Sequence, residues 1–205
     1  MRNRLLAACA LLVLAAGCGR KYARFSPSWG GFRCEAPWAW RVFEEAQGSD
    51  YAAVTFAGPL DRDFYLGTPS LSVRWHAYGR PHVLRDGGAE SYSSVEDYLE
   101  RMPREVYGPD VQVLAREKVG VAGREGYHLR LVSPVEVPAW RRYGVSQEEG
   151  GSRPVNLRDH SYVLVPCRTG FYVIVYPATR QGYDKYKDRF HELANSFRVL
   201  REGPL

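Results

Sequence analysis

Hydrophobic and polar residues alternate over residues 70–78, where every second side chain is apolar. A period of two predicts a half-exposed β-strand that buries one face only. Residues 160–177 differ, because they are apolar at nearly every position on both sides of Thr169 and Gly170. A strand without a polar face has to be covered on both sides, so these residues predict a tight hairpin in the middle of a sheet. Further strands are expected at residues 32–36, 51–56, 111–119 and 127–133.

Two segments have the period of an α-helix. The first begins at Ser94, whose hydroxyl can cap the helix because Asp97 follows three residues later, and Pro103 predicts its end. The second covers residues 182–200 and has an apolar stripe at spacings of three and four residues. That stripe consists of Tyr186, Phe190, Leu193 and Phe197. We expect it to pack into the core rather than to bind a cofactor.

The start of the chain has the pattern of an export signal. Arg2 and Arg4 precede an unbroken apolar run over residues 5–16, which is shorter than the roughly 20 residues of a membrane-spanning helix. The run ends in Leu-Ala-Ala-Gly-Cys at residues 14–18, which resembles the bacterial lipobox. The resemblance implies cleavage before Cys18 and acyl chains on that residue. An ordinary cleaved secretory signal is the alternative.

The lipobox divides the chain into three parts. We predict a removed signal peptide at residues 1–17, a lipidated tether at residues 18–30 and one domain at residues 31–201. The tether has no hydrophobic period and contains Pro and Gly, so the domain stays close to the membrane to which Cys18 is attached. Gly19 follows the lipidated residue. By resemblance to enteric lipoproteins, the absence of Asp there favours the outer membrane in a cell that has one.

Composition narrows the class of protein. A chain of 205 residues is long enough for one domain with its own core. The net charge is +5, but only four of the 28 basic residues are Lys and the acidic residues are interspersed with the Arg. Nucleic-acid binding requires basic residues clustered on one face. We therefore predict no nucleic-acid partner.

The sequence predicts different roles for the four cysteines. Cys9 belongs to the signal peptide and Cys18 to the lipid anchor, which leaves Cys34 and Cys167 in the folded part. An exported protein meets an oxidising compartment, so these two are candidates for a disulfide bond. The alternative is a pair of separate buried thiols.

One long segment has no pattern of helix or strand. Residues 134–159 form an irregular insertion of a kind that is usually functional or mobile. It contains Trp140, Arg141, Arg142 and Tyr143, and aromatic residues and Arg are enriched at the energetic centres of protein interfaces. We name these four residues as a candidate partner-binding segment; a disordered insertion is the alternative.

The layout of the chain resembles the PsbP-like family. The likeness rests on P-x-x-W at residues 37–40, V-x-V-x-G at residues 119–123, the central aromatic hairpin and the final helix ending in Asn195, Ser196 and Phe197. The resemblance implies an α+β fold, with a single antiparallel sheet and helices packed on both of its faces in an α/β/α sandwich. It also implies binding to proteins rather than catalysis. No functional residue of the family carries over, because the matching positions are core and turn residues.

Candidates for chemistry are few. The five His do not form a metal-binding spacing, although His76 and His82 could meet Asp86 around a turn, where exposed histidines on a strand are the simpler interpretation. Asp61 and Asp63 lie one residue apart in a loop and are expected to be solvated. The sequence contains no nucleophile elbow, phosphate-binding loop or dinucleotide motif. We predict no catalytic residue, no metal and no cofactor.

Together these observations predict a membrane-anchored envelope lipoprotein that acts as a non-enzymatic binding or accessory module. It would offer a sheet edge or the segment 140–143 to an envelope protein. Two alternatives remain: an envelope hydrolase with dispersed catalytic residues, and a carrier that holds a small apolar ligand beneath the aromatic residues.

Overall fold

The aromatic hairpin lies at the centre of the largest sheet, as its sequence predicts. The computed structural model describes residues 21–64, 67–83, 88–136 and 155–204. These residues form twelve strands and two helices. The strands are β1 (Tyr22–Phe25), β2 (Phe32–Pro37), β3 (Arg41–Gln47), β4 (Tyr51–Ala57), β5 (Ser70–Ala77), β6 (His82–Val83), β7 (Ala89–Glu90), β8 (Gln112–Val121), β9 (Arg124–Glu136), β10 (Val155–Pro166), β11 (Gly170–Thr179) and β12 (Arg198–Val199). The helices are α1 (Val95–Tyr107) and α2 (Tyr183–Ser196).

Seven strands form an antiparallel sheet in the order β3-β4-β5-β11-β10-β9-β8. Strand β11 is buried along nearly its whole length. Tyr172 and Ile174 belong to the core on one face of the sheet, whereas Phe171 and Val173 belong to the core on the other. The two faces are therefore covered by different elements. The first carries α2 with strand β2, and the second carries α1.

The predicted architecture, a single sheet with helices on both faces, is wrong. The described residues form three sheets: the seven-stranded one, a three-stranded sheet β1-β2-β12 and the pair β6-β7. Strand β2 alternates in burial and points Phe32 and Cys34 into the core, while its edges pair with β1 and β12. A second small sheet thus packs beside α2, and strands dominate the fold.

The domain also begins earlier than residue 31. Residues 22–25, expected within the tether, form β1 and pair with residues 34–37 of β2. The aromatic ring of Phe25 packs edge-on against Phe56, at 5.0 Å between ring centroids. A strand as short as β1, with mixed polar and apolar residues, has no hydrophobic period that a sequence analysis could detect. Within the described ranges, no helix is long and apolar enough to cross a membrane.

Helix α1 starts where the sequence predicts and ends later. The Ser94 hydroxyl accepts a hydrogen bond from the Asp97 backbone N–H at 3.1 Å, which is the expected N-cap. Pro103 lies inside the helix rather than at its end. Pro103 has no N–H and so loses one helical hydrogen bond. The burial of Tyr98, Leu99 and Met102 on the sheet stabilises the helix by more than this loss. The helix ends at Gly108, whose φ of 81° suits glycine.

Helix α2 confirms the predicted apolar stripe. Phe190, Leu193 and Phe197 are all buried, and Tyr186 packs at the edge of the same core. The helix thereby closes the face of the sheet opposite α1, and the other face is left with room for a site.

Candidate functional site

A cleft lies between α1 and the face of the large sheet on which α1 packs. It has a volume of about 630 Å³ and is lined by β3, β4, β5, β10, β11 and the inner side of α1. Strand β5 forms its floor, because the alternation of that strand points Ser70, Ser72 and Arg74 toward α1. The expectation that these polar residues face solvent is wrong. Ser72 and His76 are buried because α1 and the β6-β7 pair cover this side of the strand.

Arg74 is the charged residue on the cleft floor. It is half-buried, and within the parts of the chain that the structure describes, its guanidinium has neither a hydrogen bond nor a carboxylate at ion-pair distance. Burial works against its charge, but a guanidinium stays protonated in proteins. The cleft floor therefore carries a full positive charge for which the described residues supply no counter-ion.

Tyrosines surround this charge without neutralising it. Tyr51, Tyr98, Tyr107 and Tyr162 are all close enough to influence the Arg74 guanidinium electrostatically, and all four line the cleft. Burial raises the pKa of Tyr98 and of Tyr162 above the usual value. These phenols stay protonated at neutral pH, so they offer hydroxyl groups and aromatic faces rather than negative charge.

His160 completes a hydrogen-bonded chain at the cleft wall. Its Nδ1 lies 2.6 Å from the Tyr107 hydroxyl, which also bonds to the hydroxyl of Tyr162. Burial lowers the pKa of His160 to about 3, assisted by the positive charges of Arg158 and Arg74. The imidazole is therefore neutral and adds no charge to the site.

The other charged residues of the cleft have partners. Arg158 donates hydrogen bonds to Ser133 and to the backbone oxygen of Pro134, and stacks over Tyr107 at 4.6 Å. Glu45 on the edge strand β3 accepts a hydrogen bond from the side chain of Gln47 at 3.3 Å. Arg74 differs from Arg158 and Glu45, because its guanidinium has no hydrogen-bonding partner among the residues that the structure describes.

A second group of residues adjoins the cleft through Glu90, which lines it. His76, His82 and Glu90 place one ligand atom each within 4.8 Å of one another. The Nε2 of His82 lies 2.8 Å from the Glu90 carboxylate. The sequence interpretation of exposed strand histidines is wrong, since both histidines are buried. The acid that joins them is Glu90; Asp86 lies outside the described residues.

The structure does not describe the lipidation and partner-binding candidates. Cys18 and the segment Trp140, Arg141, Arg142 and Tyr143 lie outside the described residues. These assignments stay predictions.

Cys34 and Cys167 are both free thiols in the structure and border the same core. Burial raises the pKa of Cys34 to about 12 and that of Cys167 to about 11. Thiols with such values contain little thiolate at neutral pH, which does not suit a nucleophile. Their disulfide stays a prediction.

Asp61 and Asp63 form ion pairs with Lys185 and are therefore not free carboxylates in solvent. The Lys185 ammonium of α2 lies 3.4 Å from Asp61 and contacts Asp63 as well. Asp61 also accepts a hydrogen bond from Tyr186 at 3.3 Å. The pair fastens the loop after β4 to α2, which is a structural role.

A larger groove of about 880 Å³ lies between the β8-β9 turn and the end of α2. Its ionised residues are satisfied at the surface, as in the Lys118–Glu125 pair at 2.8 Å. Unlike the cleft, it presents no buried charge to a ligand, so it is the weaker candidate site.

Comparison with solved structures identifies the fold. CyanoP, the cyanobacterial PsbP of Synechocystis sp. PCC 6803, matches with a TM-score of 0.51 and 19% identity, over 89% of this chain and 95% of its own. The chain has a PsbP-like fold. The resemblance seen in the sequence is thus confirmed for the fold, although the expected layer arrangement was wrong.

Two other structures are similar to this PsbP-like chain at lower scores. PA94 of Pseudomonas aeruginosa, described as a protein of unknown function and putative regulator, has a TM-score of 0.42 and 13% identity over 84% of this chain and 92% of its own. LpqN of Mycobacterium tuberculosis, described as involved in cell envelope biogenesis, has a TM-score of 0.43 and 13% identity over 87% and 90%. No protein-family model and no curated protein matches the chain.

Proposed function

We propose that the protein is a lipid-anchored, non-enzymatic envelope protein whose PsbP-like domain binds a small organic anion in the cleft. The observation that carries this proposal is Arg74, a charged guanidinium on the cleft floor without a partner among the described residues. Leaving a half-buried charge unpaired costs stability. The presence of an arginine at this position is explained if a bound ligand supplies the missing negative charge.

The lining of the cleft defines the class of ligand. A guanidinium pairs best with a planar or branched anion such as carboxylate, sulfonate or phosphate. Tyr98 and Tyr162 supply aromatic walls, and Met102 and Val175 supply an apolar one. A volume of about 630 Å³ is ordinary for small-molecule sites. The ligand is therefore an anion with an aromatic or aliphatic body, rather than the purely apolar ligand weighed from the sequence.

The protonation states of the cleft suit binding better than proton transfer. General acid–base catalysis needs a group whose pKa is near the operating pH. His160 is held far below that range by burial, and the phenol of Tyr162 is held above it. Both groups keep one protonation state near neutrality, which makes them fixed hydrogen-bonding partners.

Two matched probes test the cleft. 1-Anilinonaphthalene-8-sulfonate is an aromatic anion, and N-phenyl-1-naphthylamine has the same body without the charge. We expect fluorescence titration of the full chain to give at least tenfold tighter binding of the sulfonate, because it alone can pair with Arg74. Arg74→Gln should abolish the preference, whereas Arg33→Gln on the exposed side of β2 should keep it. Equal affinity for both probes, or an unchanged preference in Arg74→Gln, would refute the proposal.

The membrane anchor is the part of the proposal that rests on the sequence. The basic start, the apolar run and Cys18 are the features that support it. Two or more acyl chains, at about 0.8 kcal/mol per buried methylene, give stable attachment. Growth with labelled palmitate should label the wild-type chain and not Cys18→Ser. Label retained by Cys18→Ser would show that the anchor assignment is wrong.

We also propose that residues 140–143 contact an envelope protein. The support is their composition of Trp, Arg and Tyr. Cross-linking in native membranes should recover a partner from the wild-type chain and lose it in the double variant Trp140→Ala, Arg141→Ala. A double variant that keeps every partner would contradict this role.

A further inference from the structure

Among the described residues, neither ring nitrogen of the buried His76 imidazole has a partner. His76 is 1% exposed, and neither Nδ1 nor Nε2 makes a hydrogen bond. A neutral imidazole has one donor and one acceptor, and each polar group left buried and unsatisfied costs about 1–3 kcal/mol. Such an arrangement needs an explanation outside ordinary packing.

Two further metal-binding side chains lie beside this ring. Strands β6 and β7 pair His82 directly with Glu90, which brings the His82 Nε2 to 2.8 Å from the carboxylate oxygen Oε1. A nitrogen of His76, from the neighbouring strand β5, lies within 4.8 Å of both ligand atoms. Three separate strands therefore converge on one point.

We propose that His76, His82 and Glu90 bind a divalent transition metal, with Zn²⁺ as the ion that fits best. Two imidazoles and one carboxylate are a common set of zinc ligands. At ligand bonds of about 2.1 Å, a tetrahedral site places its ligand atoms about 3.4 Å apart. The His82 Nε2 and the Glu90 Oε1 lie closer than this, at 2.8 Å, and a His76 nitrogen lies within 4.8 Å of both, so small side-chain shifts bring the three atoms into position.

The surroundings hold the three ligands in place. The Tyr92 hydroxyl donates to the second Glu90 oxygen, Oε2, at 2.8 Å, which leaves Oε1 for the ion, as outer-sphere hydrogen bonds do in metal sites. The His82 ring stacks on Tyr51 at 4.2 Å, and the His76 ring stacks on Phe171 at 5.2 Å. The ring planes are thus fixed before an ion arrives.

Charge and access also allow an ion at this point. Arg74 opposes a cation, but the Glu90 carboxylate contributes an opposite charge at contact distance. Burial lowers the pKa of His76 to about 3, so its ring is in the neutral form that binds metals. Glu90 borders the cleft, which provides a path for entry. In the described part of the chain, no fourth His, Cys, Asp or Glu joins the group, so one coordination position is open to water or a ligand.

Zinc titration of the full, untagged chain tests the site. After treatment with EDTA and dialysis, isothermal titration with Zn²⁺ should show one ion per chain. His82→Gln and Glu90→Gln should each weaken binding at least tenfold. The matched control is His128→Gln, which removes a His–Glu pair, at 3.0 Å between His128 and Glu117, that has no third metal-binding side chain among the described residues. That variant should bind as the wild type does.

Cobalt spectroscopy provides a second readout. Co²⁺ bound by these three side chains should give intense visible absorption bands that disappear in Glu90→Gln. Circular dichroism in EDTA will show that the variants are folded, and His82→Gln and Glu90→Gln keep the test valid if His76→Phe does not fold. Absence of stoichiometric binding would overturn the proposal. So would binding that survives His82→Gln and Glu90→Gln, or binding that depends on His128.

Discussion

Arg74 differs from the paired arginines of the chain by its surroundings rather than by its sequence context. Arg101 forms ion pairs with Asp97 and Glu105 on the surface of α1, and Arg130 forms one with Asp159. Arg74 lies in a strand whose two faces look like those of a half-exposed strand in the sequence. Only the packing of α1 over that strand turns its polar side into the floor of a cleft.

The unpaired charge should reduce stability in the absence of ligand. Arg74→Met keeps the length and apolar stem of the side chain and removes the charge, so we expect the free energy of unfolding to rise by about 1 kcal/mol. Urea denaturation measures this change. Arg33→Met, on the exposed side of β2, should stay within about 0.5 kcal/mol of the wild type. A loss of stability in Arg74→Met would show that the guanidinium has a structural partner and no need of a ligand.

His160 should make stability fall in acid. Its pKa is about 3 in the folded chain against 6.5 for the ordinary group, so the unfolded chain binds the proton first. The stability due to the neutral ring is complete above pH 6.5 and is lost as the pH falls toward 3, at roughly 1 kcal/mol per pH unit. The charged and titratable groups facing the ring are Arg74, Arg158, Tyr107 and Tyr162.

His160→Gln isolates this effect, because the side-chain amide can still form a hydrogen bond with the Tyr107 hydroxyl and does not take up a proton in this pH range. Urea denaturation between pH 7 and pH 4 should give a shallower dependence for this variant than for the wild type. Equal slopes would mean that His160 is not held neutral by the cleft wall.

At the scale of elements, an ion pair between two strands of the large sheet also contacts the start of α2. Arg130 of β9 donates two hydrogen bonds to Asp159 of β10, at 2.9 and 3.0 Å. The same guanidinium stacks over Tyr183 at the start of α2, at 4.0 Å. Asp159 is 2% exposed, so Arg130 is the partner that compensates the burial of its carboxylate. The pair ties together the strand that carries His160 and the helix that closes the opposite face.

Breaking this pair should cost far more than breaking a surface pair. Asp159→Asn leaves Arg130 with an uncharged partner, and we expect a loss of about 2 kcal/mol in the free energy of unfolding, below the full cost of a buried pair because Arg130 is partly exposed. Glu125→Gln, which breaks the exposed pair with Lys118, is the matched control and should cost less than about 0.5 kcal/mol. Thermal or urea unfolding compares the two; equal losses would contradict the structural role of Asp159.

The elements that the sequence predicts well are those with a long, regular period. The central hairpin, the Ser94 cap of α1 and the stripe of α2 are visible in the order of residues because each depends on near neighbours. The strands β6 and β7 have two residues each and leave no period to detect. The single-sheet prediction failed for a similar reason, since β1 has only four residues and β12 only two, and within the described ranges both pair only with β2.

The site was less predictable than the fold because its residues come from separate elements. Arg74, Tyr98 and His160 belong to β5, α1 and β10, and no motif spacing joins them. The sequence singled out His76 and His82 as neighbours across a turn, but it could not select Glu90 over Asp86 as their partner. That choice depends on the register of β6 and β7.

At the scale of the whole molecule, the two faces of the large sheet have different roles. The face under α2 is closed by the small sheet and a continuous aromatic core. The face under α1 keeps a cleft that holds Arg74 and borders the His76–His82–Glu90 group. With an anchor at Cys18, the domain would present this open face close to a membrane, where it would meet ligands of the cell envelope.

A crystal structure of the full chain with 1-anilinonaphthalene-8-sulfonate tests the central claim most directly. The proposal predicts that the sulfonate lies within hydrogen-bond distance of the Arg74 guanidinium, with its rings against Tyr98 and Tyr162. Probe density confined to exposed apolar residues outside the cleft, such as Leu60, with Arg74 uncontacted, would contradict it.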